Sequence, residues 1–266
     1  MLNVLGKKKP ASVTPAPPVQ NETLRHFPHL VGPHPTSWQW PAYLNADAAP
    51  WMRSLKNLYD MPITFPASLS PEAGLMLHGL IRNLQPKLII EIGSFLSVST
   101  HWMTAAMREN GLKPTPAGRV HCFDDFGPIH KGPYRDVEML EGRMDFVRDR
   151  LTEAELIEYV RLHPGNSSPN VKARQRELAD AGGVDFAFID GDHTEVGVKA
   201  DFEAVEPVVN TGGFAMLHDT FPTQCGHDGP RKLIDEIDSV ARGRWEKVEL
   251  YLSPMNYGMC LLRRIG

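Results

Sequence analysis

Apolar residues along this chain follow two rhythms that take turns from residue 71 onward. Stretches with apolar positions three or four apart, the period of a helix, are separated by short continuous apolar runs, the mark of buried strands. The first helical stretch opens at Ser70-Pro71-Glu72, with Pro in the first position where a missing N–H costs little. It carries Leu77, Leu80, Ile81 and Leu84 as one stripe, and Pro86 stops it. Residues 88–92 (LIIEI) then predict a strand, 98–109 a helix and 119–124 (RVHCFD) a second strand. A polar insert at 127–132 leads to helical stretches over 136–150 and 153–159, a weak third strand at 160–163 and a helix over 171–180. A fourth strand is predicted at 184–189 (VDFAFI), followed by a helix whose face carries Val198, Phe202, Val205 and Val209. Residues 213–217 (GFAML) read as the fifth strand, and Leu233, Ile234, Ile237 and Val240 mark another helix. The end, 248–252 with 257–263 around Ser253-Pro254-Met255-Asn256, reads as a hairpin. Strands alternating with helices predict an α/β fold with a mostly parallel sheet covered on both faces.

The N-terminal part breaks this rhythm. Residues 1–20 are rich in Pro and poor in large apolar groups, so they cannot bury enough surface to offset their ordering entropy, and a disordered tail is expected. Residues 21–70 carry Trp38, Trp40, Tyr43, Trp51, Tyr59 and Phe65. So many aromatics imply an ordered appendage packed on the main domain over 71–266. It serves as a substrate cap, as a contact between copies in a homo-oligomer, or as packing alone.

Charge and composition narrow the partners. A net charge of −4 argues against a general nucleic-acid binder, which would present a basic face. No apolar run approaches the ~18 residues of a membrane span, so no membrane partner is expected. Cys122, Cys225 and Cys260 lie far apart without a CxxC spacing, which fits a reducing cytoplasm rather than a disulfide framework.

In open α/β sheets ligands sit beyond the carboxyl ends of the strands, so the residues just after each strand carry the chemistry. The first strand ends in Glu91-Ile92-Gly93-Ser94-Phe95-Leu96-Ser97, a tight turn into a helix N-terminus whose N–H groups are free. It is neither GxGxxG nor a phosphate-binding GxxxxGK[ST] loop. The second strand ends in Asp124-Asp125, an acid placed to accept both hydroxyls of a ribose. Gly165-Asn166-Ser167-Ser168 follows the third strand and is suited to an adenine edge or to capping a helix. Asp190-Gly191-Asp192-His193 follows the fourth strand, and His218-Asp219-Thr220 the fifth. Two carboxylates and an imidazole at one strand tip are hard to explain by packing. Arg135, Arg143 and Arg148 read mostly as a solvated helix face, with contact to an acidic substrate the other reading.

Together, EIGSFLSVST, CFDDF, HPGNSS, VDFAFIDGDHTEVGVKADFE and GGFAMLHDT resemble the class I S-adenosylmethionine-dependent methyltransferases. FIDGDH…GVKADFE…GG…LHDT resembles the bacterial branch called methyltransferase family 24, similar to catechol-type and sugar O-methyltransferases. The resemblance implies a Rossmann-like, doubly wound seven-stranded sheet, six strands parallel and the last antiparallel. It places Glu91, Gly93, Ser94 and Ser97 at the methionine part of the cofactor, Ser97 standing where the family commonly has a second Gly. It places Asp124 at the ribose, Asn166 and Ser167 at the adenine, and Asp190 nearest the sulfonium. Metal-dependent relatives hold Mg²⁺ at positions that here are Asp190, His218 and Asp219. An imidazole is a poorer Mg²⁺ ligand than oxygen, so either no metal binds or the site accepts Mg²⁺ or a softer ion such as Mn²⁺. The implied activity is O-methylation of a small-molecule hydroxyl (a sugar, phenol or natural product), with Asp192 or His193 as the base. The competing readings are a hydroxylase-like or non-methylating protein on this scaffold, and an NAD(P)-dependent oxidoreductase.

Overall fold

The computed structural model describes residues 37–128, 142–241, 243–251 and 257–266. They fall within one compact unit, 33–266. The predicted tail and most of the insert after Gly127 lie outside the described residues. Among the described residues no helix is long and apolar enough to cross a membrane.

The helices are α1 (Pro50–Tyr59), α2 (Pro71–Leu84), α3 (Val98–Glu109), α4 (Arg143–Glu153), α5 (Ser167–Asp180), α6 (Glu195–Val205), α7 (Pro222–Cys225) and α8 (Gly229–Val240). The strands are β1 (Ile89–Ile92), β2 (Val120–Asp124), β3 (Val160–Pro164), β4 (Val184–Ile189), β5 (Val209–His218), β6 (Trp245–Leu250) and β7 (Met259–Arg264). They form one seven-stranded sheet in the order β3-β2-β1-β4-β5-β7-β6. Strands β1 to β5 pair in parallel, while β7 runs antiparallel to both β5 and β6. Six strands therefore point one way and β7 the other, as the resemblance implies.

The period of two along each strand sorts side chains to two cores. Ile89, Phe186, Phe188 and Met216 join a cluster with Trp51, Leu77 and Trp102. Ile90, Ile92, Ala187, Ile189 and Leu217 join the opposite one with Val198, Phe202 and Ile234. Residues 38–69 share the first cluster. Trp38, Trp51, Leu55 and Leu58 are all buried there, and Trp102 donates to the Tyr59 hydroxyl at 3.0 Å. This part of the N-terminal segment is thus continuous with the core of the sheet.

Some elements differ from the reading of the sequence. The helix read at 153–159 is not one helix: α4 ends at Glu153, Glu155 turns to φ 56°, and only a 3-10 turn follows at Ile157–Tyr159. Val209 does not continue the face of α6; it opens β5, which runs on to His218. The hairpin strand starts earlier than expected, at Trp245, whose ring is buried. In each case tertiary burial sets the boundary that local periodicity left loose.

Candidate active site

The order β2-β1-β4-β5 reverses chain direction between β1 and β4, which opens a crevice at their carboxyl ends. Ile92 pairs with both Phe123 and Ile189, and Ile189 with Leu217, so the four strand tips end level. Gly93, Asp124, Asp190 and His218 therefore surround one cavity of about 1080 Å³. Ser94, Asn166, Ser167, Asp192, His193 and Asp219 also line it. Pro66, Ala67, Ser68 and Leu69 contribute a wall from the N-terminal segment.

The β1 turn owes its shape to Gly93. Its φ is +83°, and a Cβ there would lie 2.1 Å from the carbonyl oxygen of Asp190. The glycine lets the β1 and β4 turns touch backbone to backbone. Ser97, at φ 70°, adopts the left-handed conformation usual for glycine. Glu91 and Ser97 are fully buried and do not line the cavity. The Glu91 carboxylate accepts hydroxyls from Ser94 at 2.8 Å, Ser99 at 2.6 Å and Thr100 at 2.5 Å. Burial pushes its pKa up, and these bonds oppose the shift. Glu91 thus ties the turn to the first residues of α3.

Asp124 is held more completely than its sequence suggests. Oδ2 accepts the Phe95 N–H at 2.9 Å and Oδ1 the Phe126 N–H at 2.8 Å. Arg143 Nη2 lies 2.8 Å from Oδ1 and also pairs with Asp125. Each carboxylate oxygen accepts two hydrogen bonds, so among the described residues one position, on Oδ2, is left for a hydroxyl. The sequence alone predicts both hydroxyls of a ribose on this acid. Arg143 itself is only 4% exposed, not part of a solvated helix face. Arg148 does lie on such a face, paired with Asp145, and Arg135 lies outside the described residues.

At the third tip Asn166 precedes α5, and its side chain makes no capping bond. Ser167 donates to Asp201 Oδ1 at 2.6 Å. Asp201, on α6, is 2% exposed, and among the described residues its Oδ2 receives no well-directed hydrogen bond. Burial lifts its pKa to about 6.

The β4 and β5 tips hold the densest charge. His193 Nε2 lies 3.2 Å from Asp190 Oδ1 and 2.9 Å from Asp219 Oδ2. His218 Nδ1 lies 3.1 Å from Asp190 Oδ1 and 3.2 Å from Asp219 Oδ1. Burial opposes charge on both imidazoles, but the carboxylates outweigh it and lift His193 to about 10 and His218 to about 9. Burial likewise opposes ionised Asp190, and the imidazoles outweigh it, holding its carboxyl well below the usual range. Asp190 and the two imidazoles thus favour one another's charged forms.

Asp192 stands apart from this cluster. It is exposed, its Oδ1 accepts the Thr194 N–H at 2.8 Å, and it lies over Gly197, where a Cβ would meet its carboxyl carbon at 2.1 Å. Thr194 caps α6 by accepting the Gly197 N–H. Asp192 shapes the start of α6, while His193 points to the other strand tip. Sequence reasoning missed Asp201, although it stands in the quoted GVKADFE segment: nothing local shows that an acid on an amphipathic helix faces inward.

Donors for a cation are present. Ligand atoms of Asp190, His218 and Asp219 lie within 4.8 Å of one another. Among the described residues buried Asp219 Oδ1 receives no well-directed hydrogen bond, its nearest charged neighbour being His218 Nδ1 at 3.2 Å. The set fits a divalent ion.

Comparison with known proteins agrees with this architecture. A family model described as a methyltransferase domain matches residues 90–220. The chain is similar in structure to the O-methyltransferase TomG from Streptomyces achromogenes, involved in tomaymycin synthesis and solved with S-adenosylmethionine. The two are 17% identical over 92% of this chain and 97% of that one, with a TM-score of 0.58. An O-methyltransferase from Bacillus cereus, solved with S-adenosylhomocysteine, is 18% identical over 80% of this chain and 90% of its own, with a TM-score of 0.57. The Podospora anserina methyltransferase PaMTH1, also bound to S-adenosylhomocysteine, is 14% identical over 96% of this chain and 100% of its own, with a TM-score of 0.58. The family match makes residues 90–220 a methyltransferase domain, and the seven-stranded architecture around it is the class I fold that these solved methyltransferases share.

Proposed function

We propose that this methyltransferase acts on a hydroxyl of a small molecule, with His193 as the base. One observation carries the proposal: an imidazole fixed between two carboxylates on the wall of the cavity, beside the turn assigned to the cofactor. Methyl transfer is an in-line displacement at the methyl carbon, so the nucleophile must be held about 3 Å away and lose its proton. Bound S-adenosylmethionine supplies the electrophilic methyl carbon and a sulfonium charge. Gly93 and Ser94 receive its methionine part, Asp124 one ribose hydroxyl through the open position on Oδ2, and Asn166 with Ser167 the adenine. Asp190, ionised, faces the sulfonium.

At neutral pH the carboxylates keep His193 protonated, and an imidazolium accepts no proton. Asp190, His218 and Asp219 would hold a divalent cation, with Mg²⁺ or Mn²⁺ the candidates, which would supply a Lewis acid for the hydroxyl and positive charge that lowers the proton affinity of His193. In its neutral form His193 takes the hydroxyl proton at Nε2, and Asp219 stabilises the imidazolium. Asp192, committed to α6, is the weaker choice of base. The test is S-adenosylhomocysteine release from the purified chain against a panel of phenols, sugars and catechols, with and without Mn²⁺. Turnover that resists excess EDTA ends the metal assignment. Affinity for S-adenosylhomocysteine without transfer to any hydroxyl ends the O-methylation reading.

The two imidazoles beside two carboxylates also suit non-haem iron, which favours the hydroxylase-like alternative. Iron in the protein as purified, together with oxygen consumption, is its signature.

A further inference from the structure

Two sets of metal-ligating side chains overlap at Asp219. The first is Asp190, His218 and Asp219, the candidate site for Mg²⁺ or Mn²⁺. The second is His193, Asp219 and His227, whose ligand atoms also lie within 4.8 Å of one another. His227 also lines the cavity, and the methyl transfer proposed above gives it no role. It sits between α7 and α8, is exposed, and its ring lies over that of His193 with centroids 4.8 Å apart and planes 24° from parallel.

We propose that His193, Asp219 and His227 form a second metal site, selective for a borderline-soft divalent ion such as Zn²⁺, and that its occupancy stops methyl transfer. The second half of this statement rests on the reading of His193 as the base; the binding site does not.

The donor chemistry separates the two sets. The first offers one nitrogen and two carboxylates, a harder set suited to Mg²⁺ or Mn²⁺. The second offers two imidazole nitrogens and one carboxylate, the three-ligand pattern of zinc sites that keep a fourth position open. Ligand atoms on a tetrahedral zinc with bonds of 2.0–2.2 Å stand about 3.3 Å apart. His193 Nε2 and Asp219 Oδ2 already lie 2.9 Å apart, so the exposed His227 ring makes most of the adjustment. Cys225 Sγ stays outside the set, 3.4 Å from the carbonyl oxygens of Asp219 and His227.

Occupancy has a defined chemical consequence. When Zn²⁺ binds, the proton on His193 Nε2 leaves for solvent, and the lone pair that would take the substrate proton is donated to the metal. Asp219 belongs to both sets, so an ion in the second set draws its charge away from the first.

The experiment uses the full chain and two probes, Co²⁺ and Zn²⁺. Wild type is expected to bind Co²⁺ with the intense visible bands of a tetrahedral ion, and Zn²⁺ to displace it. His227→Gln should weaken Zn²⁺ binding by about tenfold or more, the loss that follows disruption of a metal's ligand environment, and abolish the bands. Asp190→Asn should keep both. In turnover assays, His227→Gln should match wild type without zinc and need a correspondingly higher Zn²⁺ concentration for inhibition. Melting curves of His227→Gln and His227→Asn establish that the variants are folded. Unchanged Zn²⁺ affinity and Co²⁺ spectrum in both His227 variants overturn the proposal. So does loss of the bands in Asp190→Asn, which puts the ion in the first set. If no hydroxyl is ever methylated, these binding measurements still decide it.

Discussion

The two halves of the cavity handle charge in opposite ways. At the β1 and β2 tips the acids are committed to structure. Glu91 holds three hydroxyls, and Asp124 holds two backbone N–H groups and a buried arginine. At the β4 and β5 tips the acids pair with imidazoles, Asp190 and Asp219 sharing His193 and His218, and among the described residues one oxygen of Asp219 receives no well-directed hydrogen bond. The first half is a fixed shape. The second is a set of protons that a ligand can move. A site that must recognise an invariant cofactor and deprotonate a hydroxyl is served by this division.

The largest effect is expected at the second half. His193→Ala should lower turnover by about 10²–10⁴-fold, the usual contribution of a general base, while calorimetric affinity for S-adenosylhomocysteine stays within about threefold. Comparable loss of affinity would move His193 to the cofactor half and blur the comparison. Gly93→Ala attacks the fixed shape instead. Its Cβ would strike the Asp190 carbonyl at 2.1 Å in a backbone with φ +83°, so we expect a cost of about 3 kcal/mol in chemical denaturation. A variant as stable as wild type would show that the turns are not pressed together.

Arg143→Met tests whether the fixed half is held by its ion pairs. Arg143 and Asp124 expose 5% and 9% of their side chains, and removing one partner of a buried pair costs about 3 kcal/mol. Cofactor affinity should fall with stability. A gain in affinity would mean that Arg143 competes with the ribose for Asp124. The pH dependence of stability tests the other half. His193 and His218 have folded pKa values of about 10 and about 9, above the ordinary 6.5. Their contribution is fully present below pH 6.5 and is lost as pH rises through 9 and 10. A fall on the order of 2 kcal/mol across that window is expected, and His193→Gln should flatten it. A wild-type profile already flat there would mean that the imidazoles carry no excess proton.

Much of this is legible in the sequence where the cause is local. Short apolar runs such as LIIEI and VDFAFI are buried on both faces and become β1 and β4. The polar residues that follow them meet in one cavity because parallel strands all present their carboxyl ends to one edge. What the sequence hides depends on packing across distance. Nothing near Ser97 says that it turns inward, nor that Arg143 leaves its helix face to reach Asp124 on the preceding strand. Asp192 and His193 are adjacent and chemically interchangeable on paper. The fold separates them, because Gly197 makes room for one over α6 and the β5 tip captures the other.

Asp201 marks the border between the halves and gives the smallest and most discriminating test. Its carboxyl is buried, accepts one hydroxyl from Ser167, and among the described residues has no well-directed donor at Oδ2. Burial lifts its pKa from 3.8 to about 6, with the Asp192 charge adding to the rise and the Ser167 bond opposing it. A carboxyl whose pKa is raised on folding favours the protonated form, so the folded state loses stability as pH climbs from about 4 to about 6 and bears the full cost above it. Asp201→Asn keeps the acceptor for Ser167 and removes the charge. The variant should therefore be more stable than wild type by about 1 kcal/mol at pH 8 and no more stable at pH 4, where the wild-type side chain is already neutral. The difference between the two pH values, read from paired denaturation curves, is the diagnostic quantity. A loss of stability at pH 8 would mean that ionised Asp201 has a partner that the raised pKa denies. The adenine border of the cavity would then join the β4 and β5 tips as a place where charge is used rather than locked.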